Sequence, residues 1–264
     1  MSAIAESAAP LSLIRGSCDA RWFVKDHVRS VAVDDFVVLL DRLTSRYLSL
    51  QGSGAAIWRG LEAGGSISDI AARIAEQLDA PREQVETDTG ALCRQLAEAG
   101  LITETAPDPG APPGPDAETR QRIDQWIESW QAVPVDERSG RSGGFARALV
   151  EVLAVEWAMR TGGMPKLRRR LARYPLTVPN VDPVRAWAIV EQAQRATALY
   201  VKKAWCLQRS TACAALLRAE GVPAEVVIGV TPVPFAAHAW VEIGHHVAND
   251  HLSRTSYFHE IDRF

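Results

Sequence analysis

Cysteine is scarce in this 264-residue chain, and the few cysteines are widely scattered. They stand at Cys18, Cys93, Cys206 and Cys213, without a CxxC pair among them. Small secreted domains that depend on disulfides carry denser cysteine arrays, and zinc ribbons need closely spaced cysteine pairs. The spacing therefore excludes a disulfide framework and favours a reducing compartment, which is the cytoplasm.

Long apolar runs and an excess of positive charge are also missing. No stretch of about 18 apolar residues occurs, and the N-terminal residues lack the basic region and apolar core of a signal peptide. Lys and Arg number 29 against 32 Asp and Glu, which gives a net charge of −3. Proteins that bind nucleic acid through its phosphates carry a basic surface. We therefore expect a cytoplasmic protein that binds neither membranes nor nucleic acid.

A segment rich in proline and glycine divides the chain. Residues 105–116 contain Pro at five positions and Gly at two. Neither a helix nor a sheet tolerates this composition, so the segment is expected to be extended and exposed. The sequence thus predicts a first domain at 20–104, a linker at 105–116 and a second domain at 117–264.

The first predicted domain starts with strands and continues with helices. Three short segments of β-type composition are separated by polar turns, at 28–33, 36–41 and 46–50. Three helical patterns follow, at 53–61, from Ser66 onward, and from Pro81 to Gly100. This order predicts a compact winged-helix-like α+β module. Its third helix has an acidic first half, which DNA phosphates would repel.

From 117 to 203 the apolar spacing is mostly helical, with interruptions at Pro134, Gly143-Gly144 and Gly162-Gly163. The most basic point of this region is Arg168-Arg169-Arg170. Such a run is typical of a solvated helix face, and the alternative is contact with an acidic peptide or partner.

The last quarter of the chain contains the residue types of a thiol-based active site. Cys206 precedes apolar residues at helical spacing that end at Gly221, so it lies at a helix start, where the helix dipole favours a thiolate. His238 opens one predicted strand and Asp250 closes the next strand of the same hairpin. A thiolate nucleophile needs an imidazole, and the imidazole needs a third group to fix its tautomer. We therefore predict that Cys206, His238 and Asp250 form a catalytic triad.

Other groups compete for parts of this assignment. Glu242 lies on the His238 face of a regular strand and is an alternative orienting group, as is the more distant Asp262. Asp250 is preferred because of its position in the hairpin. The tail also contains several histidines whose spacing matches no recognised zinc site, and we expect neither a metal nor a cofactor. These histidines are His245, His246, His251 and His259.

Two sets of motifs resemble known families. The first resembles the transglutaminase-like or papain-like cysteine proteases and, more narrowly, the B proteins of lasso-peptide biosynthesis. It consists of Trp205-Cys206-Leu207-Gln208-Arg209-Ser210, His238-Ala239-Trp240-Val241-Glu242 and Asn249-Asp250. The second resembles the PqqD-like element that recognises precursor peptides, and its positions are Asp41, Tyr47, Leu50, Gly54, Ile57 and Trp58.

The resemblance implies roles for these residues. Cys206 would be the nucleophile, His238 the general base and acid, and Asp250 the orienting carboxylate. The first domain would bind the leader of a precursor peptide as an added strand, between its third strand and its third helix. The residues that this implies for leader binding are Arg46, Tyr47, Leu48, Ser49, Leu50, Val85 and Leu92.

The expected function is that of a cysteine leader peptidase, a peptide hydrolase of lasso-peptide biosynthesis. It would bind the leader, cleave it from the core peptide and pass the core to a macrolactam synthetase. Two alternatives stay open. One is a non-catalytic scaffold that presents the precursor to the synthetase, and the other is a transglutaminase-type acyl transferase, because an amine can replace water with the same triad.

Overall fold

The structure is a computed structural model that describes residues 21–106, 117–138, 144–174, 179, 181–200 and 205–264. Cys18 and all but the first two residues of the predicted linker, 105–116, lie outside the described residues. Within the described part, residues 21–26 and 50–106 form one compact unit. Residues 27–49 and those from 117 onward form the other.

The compact units differ from the predicted domains in the place of residues 27–49. This segment groups with the C-terminal part because Val38 and Leu40 are completely buried in the same apolar cluster as the C-terminal helices and strands. Sequence patterns report the strands themselves but not the face against which they pack. The division into 20–104, 105–116 and 117–264 stays a prediction.

The first compact unit is mainly helical. Its elements are β1 (Phe23–Val24), α1 (Ser53–Glu62), α2 (Ile67–Leu78), α3 (Arg82–Glu98) and β5 (Ile102–Thr103), and β1 pairs antiparallel with β5. Ser66 caps α2, because its hydroxyl accepts a hydrogen bond from the Asp69 N–H while the Asp69 carboxylate accepts from the Ser66 N–H. The core of this unit contains the fully buried Trp58 and Ile70.

A three-stranded sheet contains most of residues 27–49. Its strands are β2 (Val28–Val33), β3 (Phe36–Asp41) and β4 (Arg46–Gln51), in the order β2-β3-β4. The central strand β3 is buried from Val37 to Asp41, which explains its continuous apolar run where a half-exposed strand would alternate. In this sheet β4 is an edge strand, and Leu48 on it is 41% exposed.

Long helices form the centre of the second unit. They are α4 (Ala117–Gln131), α5 (Phe145–Leu171), α6 (Pro183–Leu199) and α7 (Cys206–Arg218), with a short α8 (Leu252–Thr255) near the end. Trp130 of α4 stacks on Trp187 of α6 with ring centroids 4.5 Å apart. α5 breaks at Gly163, where φ is 58°, and then continues to Leu171. Glycine adopts a positive φ without steric penalty, so Gly163 forms the kink at which one helical segment ends and the next begins.

A second sheet lies beside these helices. Its strands are β6 (Ala224–Pro232), β7 (Phe235–Ile243), β8 (His246–Val247) and β9 (His259–Arg263), all antiparallel in the order β8-β7-β6-β9. Hydrogen bonds fix α7 on this sheet: the Ser210 hydroxyl donates to the Ala239 carbonyl of β7, and Arg218 donates to the Ala224 carbonyl of β6. Ala224 pairs with Ile243, so α7 runs from the Ala239 position of β7 toward its end.

No helix among the described residues is both long enough and apolar enough to cross a bilayer.

Candidate active site

The predicted nucleophile is the first residue of α7. Trp205 adopts an extended conformation and Cys206 begins the helix. The first N–H groups of a helix have no intrahelical acceptor, and the dipole makes this end partly positive. Ten of the 13 helix residues are buried, so α7 is a central element and its start is held firmly. Cys206 itself is half-buried.

The surroundings of Cys206 favour the thiolate. Burial raises the pKa of the thiol, but hydrogen bonds from His238 and from the N–H groups of Ala239 and Leu207 outweigh it, so the pKa lies below its usual range. Cys213, on the same helix, lacks such donors, and burial raises its pKa to about 12. Burial likewise raises the pKa of Cys93 to about 11. Among the described cysteines, Cys206 alone has the properties of a reactive thiol.

His238 lies on β7 between the thiol and a carboxylate. Its Nε2 is 2.6 Å from Oδ2 of Asp250, and this leaves Nδ1 for the hydrogen bond with Cys206. The hydrogen bond with Cys206 raises the pKa of the imidazole, burial lowers it, and Asp250 raises it further, for a net increase. The ring packs against Phe258 and Trp240, with centroids 5.3 Å and 6.1 Å away.

Gly229 allows this packing. It pairs with His238 across the β6–β7 ladder, and a Cβ there would lie 2.7 Å from both Phe258 and the Trp240 ring. A side chain at Gly229 would therefore displace the two aromatic rings that hold the imidazole.

Asp250 follows β8 and has the environment of an ionised carboxylate. Burial raises its pKa, but hydrogen bonds from His238 and from the N–H of His251 lower it more. The His251 N–H is 2.8 Å from Oδ1, and Nη1 of Arg254 is 3.4 Å from the same oxygen. Oδ2 thus orients the imidazole, while Oδ1 is bound by the His251 N–H and by Arg254.

The competing carboxylates are engaged elsewhere. Glu242 accepts from the Trp240 indole N–H at 2.7 Å and pairs with Arg263 at 2.7 Å. Asp262 is buried beside Arg42 and Arg168. Two arginines of the basic run also have partners within the chain. Arg168 lies beside Asp262, and Arg170 binds the Glu151 carboxylate through two nitrogens, at 2.6 and 2.7 Å. In the described part of the chain, no three His, Cys, Asp or Glu side chains are grouped as metal ligands would be.

Sequence reasoning missed a polar bridge that connects the three predicted catalytic residues. Ser210, one turn after Cys206, donates to the Ala239 carbonyl at 3.0 Å, directly after His238. The Asn249 amide, directly before Asp250, donates to the Ser210 hydroxyl at 3.1 Å and accepts from the Val241 N–H at 2.7 Å. The only sequence signal for this bridge was that Ser210 and Asn249 belong to the same motifs as Cys206 and Asp250.

Among the predicted leader-binding residues, Tyr47 interacts electrostatically with the Cys206 thiol. Its ring packs against Phe235 of β7, with centroids 5.5 Å apart and planes at 58°. Burial and the charge of a Cys206 thiolate raise the pKa of the phenol to about 12. Tyr47 therefore stays neutral and faces the catalytic centre.

The other predicted leader-binding residues lie on β4 and α3. On β4, Arg46, Leu48 and Ser49 are exposed, and on α3, Val85 and Leu92 are half-buried. Leu50 and Leu92 approach the same point of α1, since a Cβ at Gly54 would lie 3.8 Å from Leu50 and 3.9 Å from Leu92. Their role in leader binding stays a prediction.

Comparisons with known proteins match both parts of the chain. Residues 148–263 match the transglutaminase-like superfamily, and residues 37–102 match the coenzyme PQQ synthesis protein D family. The microcin J25-processing protein McjB of Escherichia coli is 42% identical over 52 residues, which are 20% of this chain and 25% of McjB. The match therefore spans about a quarter of the length of that relative.

Two solved structures are similar to about a third of this chain. TbiB1 in complex with the TbiA(beta) leader peptide is 34% identical, with 32% of this chain and 99% of that chain covered and a TM-score of 0.31. The chain belongs to the lasso-peptide B proteins. A lasso peptide synthetase B1 complexed with its leader peptide is 27% identical at the same coverage, with a TM-score of 0.30. The predicted α+β class, with a PqqD region followed by a transglutaminase-like region, is confirmed for this B protein.

Proposed function

We propose that this B protein is a cysteine peptidase that removes the leader from a lasso-peptide precursor. The observation that carries the proposal is the arrangement of a helix-start thiol, an imidazole and a carboxylate. The Cys206 thiol is hydrogen-bonded to His238, and His238 Nε2 lies 2.6 Å from Asp250. Membership in a transglutaminase-like family supports thiol chemistry at this point of the chain.

Cleavage begins from an ion pair, in which the proton of the Cys206 thiol has moved to Nδ1 of His238 and left a thiolate. The thiolate attacks the carbonyl carbon of the scissile peptide bond, and the N–H groups of the first turn of α7 stabilise the oxyanion. The imidazolium gives its proton to the departing amine of the core peptide, which leaves the leader as a thioester on Cys206. His238 then deprotonates a water molecule, which attacks the thioester and releases the leader carboxylate.

Leader binding is assigned to the PqqD region. β4 is an edge strand of its sheet, and an edge strand presents unpaired backbone groups to which an extended peptide can add. The 34% identity with TbiB1, which is complexed with a leader peptide, supports the same class of ligand here. The free core peptide would pass to a macrolactam synthetase as the partner enzyme.

The test is cleavage of the precursor by purified Cys206→Ala, followed by mass spectrometry. We expect complete loss of cleavage with unchanged affinity for a labelled leader peptide. Cys213→Ala is the matched control on the same helix and is expected to cleave. Leader removal by Cys206→Ala would contradict the proposed thiol peptidase. A wild type that binds the leader but leaves the precursor uncut would favour the binding scaffold.

Acyl transfer uses the same thioester, so product analysis separates it from hydrolysis. The wild type is incubated with precursor and a small primary amine. Mass spectrometry of the released leader then shows whether its C-terminus is a carboxylate or an amide. A free carboxylate as the main product supports the hydrolase, whereas quantitative amide formation at low amine concentration would favour a transferase.

A further inference from the structure

The sheet surface on the α7 side continues past the start of that helix. Ser210 is hydrogen-bonded to Ala239, and Cys206 lies one turn before Ser210. Phe235 lies four residues before Ala239, on the same face of β7, because side chains alternate along a strand. From the rise per residue of helix and strand, Phe235 is roughly 7 Å beyond the helix start. This part of β7 is therefore not covered by α7.

An aromatic pair occupies this uncovered surface. Phe235 is 50% exposed, and the ring of Tyr47 lies against it with centroids 5.5 Å apart. Tyr47 itself is half-buried and faces the thiol, whereas the next residue, Leu48, is 41% exposed. Neighbouring side chains of β4 thus point in opposite directions, one toward the catalytic centre and one toward solvent.

We infer that Tyr47 and Phe235 form a substrate-specificity wall, which holds an apolar side chain of the precursor close to the scissile bond. The inference rests on the proposed peptidase function. Both rings are uncharged, and burial of an exposed aromatic face by an apolar side chain is favourable. An extended chain advances about 3.4 Å per residue, so a distance of roughly 7 Å corresponds to about two residues. The preferred side chain therefore lies within about two residues of the cleaved bond.

This assignment gives Tyr47 a different role from the one that the strand pattern predicts. A residue that only binds the leader would affect leader affinity. A residue of the wall would affect the choice among precursors that carry the same leader, since the contact forms near the reacting atoms. The two roles make opposite predictions for the same substitution.

The experiment compares wild type, Tyr47→Ala and Phe235→Ala on variants of a lasso-peptide precursor. Each of the three residues on either side of the cleaved bond is replaced in turn by Gly, Leu, Phe and Asp. At one position at least, the wild type is expected to prefer Leu or Phe over Gly by about tenfold or more in kcat/KM. Both variants should reduce this preference to about twofold, with leader affinity unchanged.

Controls separate the wall from general damage. Tyr257→Ala removes an aromatic side chain that is 76% exposed, and it should retain the wild-type preference. Phe235 is half exposed, so Phe235→Ala decides the matter alone if Tyr47→Ala does not fold. A preference that survives in Phe235→Ala, or a wild type with no preference at any position, would overturn the inference. Failure of the peptidase proposal looks different, because the wild type would then leave every precursor uncut or Cys206→Ala would still cut.

Discussion

The catalytic centre and the edge strand β4 differ in exposure. The polar side chains of the centre are hydrogen-bonded to one another and shielded, whereas most of those on β4 face solvent. At the centre, Cys206, His238 and Asp250 each contact at least two partners, and their side chains are largely shielded from solvent. On β4, Arg46, Leu48 and Ser49 are exposed, and the strand lies at the edge of its sheet. Catalysis requires reacting atoms that are held before substrate arrives. Strand addition requires backbone groups that are still unpaired.

This difference predicts that substitutions in the two regions change different quantities. Changes at the centre should reduce kcat and leave the affinity for leader peptide intact. Changes on the exposed side of β4 should weaken leader binding and leave the hydrolysis of a leaderless peptide intact. Tyr47 is the residue at which the two regions meet, because it belongs to β4 and faces Cys206.

The largest effect is expected for Asp250→Asn. The amide keeps the shape of the side chain but no longer stabilises the imidazolium or fixes the correct tautomer. We expect kcat for precursor cleavage to fall by about 10² to 10⁴-fold, with an unchanged leader Kd. Glu242→Gln is the control, since Glu242 is bound to Trp240 and Arg263 and lies outside the triad. Equal losses in both variants would contradict the choice of Asp250 as the orienting carboxylate.

The second prediction concerns His238→Ala and the reactivity of the thiol. Without the imidazole, burial dominates and the pKa of Cys206 rises, so the thiolate fraction at neutral pH falls. Alkylation of Cys206 by iodoacetamide at pH 7 should slow by about tenfold or more, as each pKa unit corresponds to a factor of ten. Peptide mass spectrometry would report Cys206 and Cys213 separately. Cys213 should react slowly in both proteins, because burial raises its pKa to about 12.

The same groups set the pH dependence of cleavage. The pKa of Cys206 is lowered and that of His238 is raised, and both shifts favour a thiolate paired with an imidazolium. As pH falls through the pKa of Cys206, the thiolate gains a proton and the rate declines. As pH rises through the pKa of His238, the proton for the leaving amine is lost and the rate declines again. A bell-shaped profile of kcat/KM is expected, and a single ascending limb up to pH 10 would contradict the ion pair.

Sequence patterns predicted the elements that hold the site better than the way they pack. The helix start at Cys206 and the hairpin at Gly244-His245 were predictable because their signals are local. The strand β9 was missed because its sequence, His-Glu-Ile-Asp-Arg, is too polar for a strand pattern and depends on pairing with β6. The position of Tyr47 was also not predictable, since it depends on contacts between residues that are distant in sequence.

The third prediction tests the polar bridge between α7 and β7. Asn249→Ala removes one donor to Ser210 and one acceptor for the Val241 N–H. We expect kcat to fall by roughly tenfold because Asp250 loses its fixed position, and stability to fall by about 1–3 kcal/mol. Destabilisation alone would leave the rate per folded molecule and its pH profile unchanged. That result would limit Asn249 to a structural role, and partial recovery of the rate in Asn249→Gln would support positioning.

The smallest effect is expected on β4. Leu48→Asp places a charge on the exposed side of the edge strand and should raise the Kd for a labelled leader peptide by about tenfold, which corresponds to about 1.4 kcal/mol. Leu43→Asp is the matched control, because Leu43 is 58% exposed and follows β3 in the turn before β4. It should leave the Kd unchanged. Hydrolysis of a leaderless peptide should be equal in both variants, since neither side chain reaches Cys206. A loss of that hydrolysis in Leu48→Asp would mean that the outward face of β4 also supports catalysis, and the contrast between the two regions would fail.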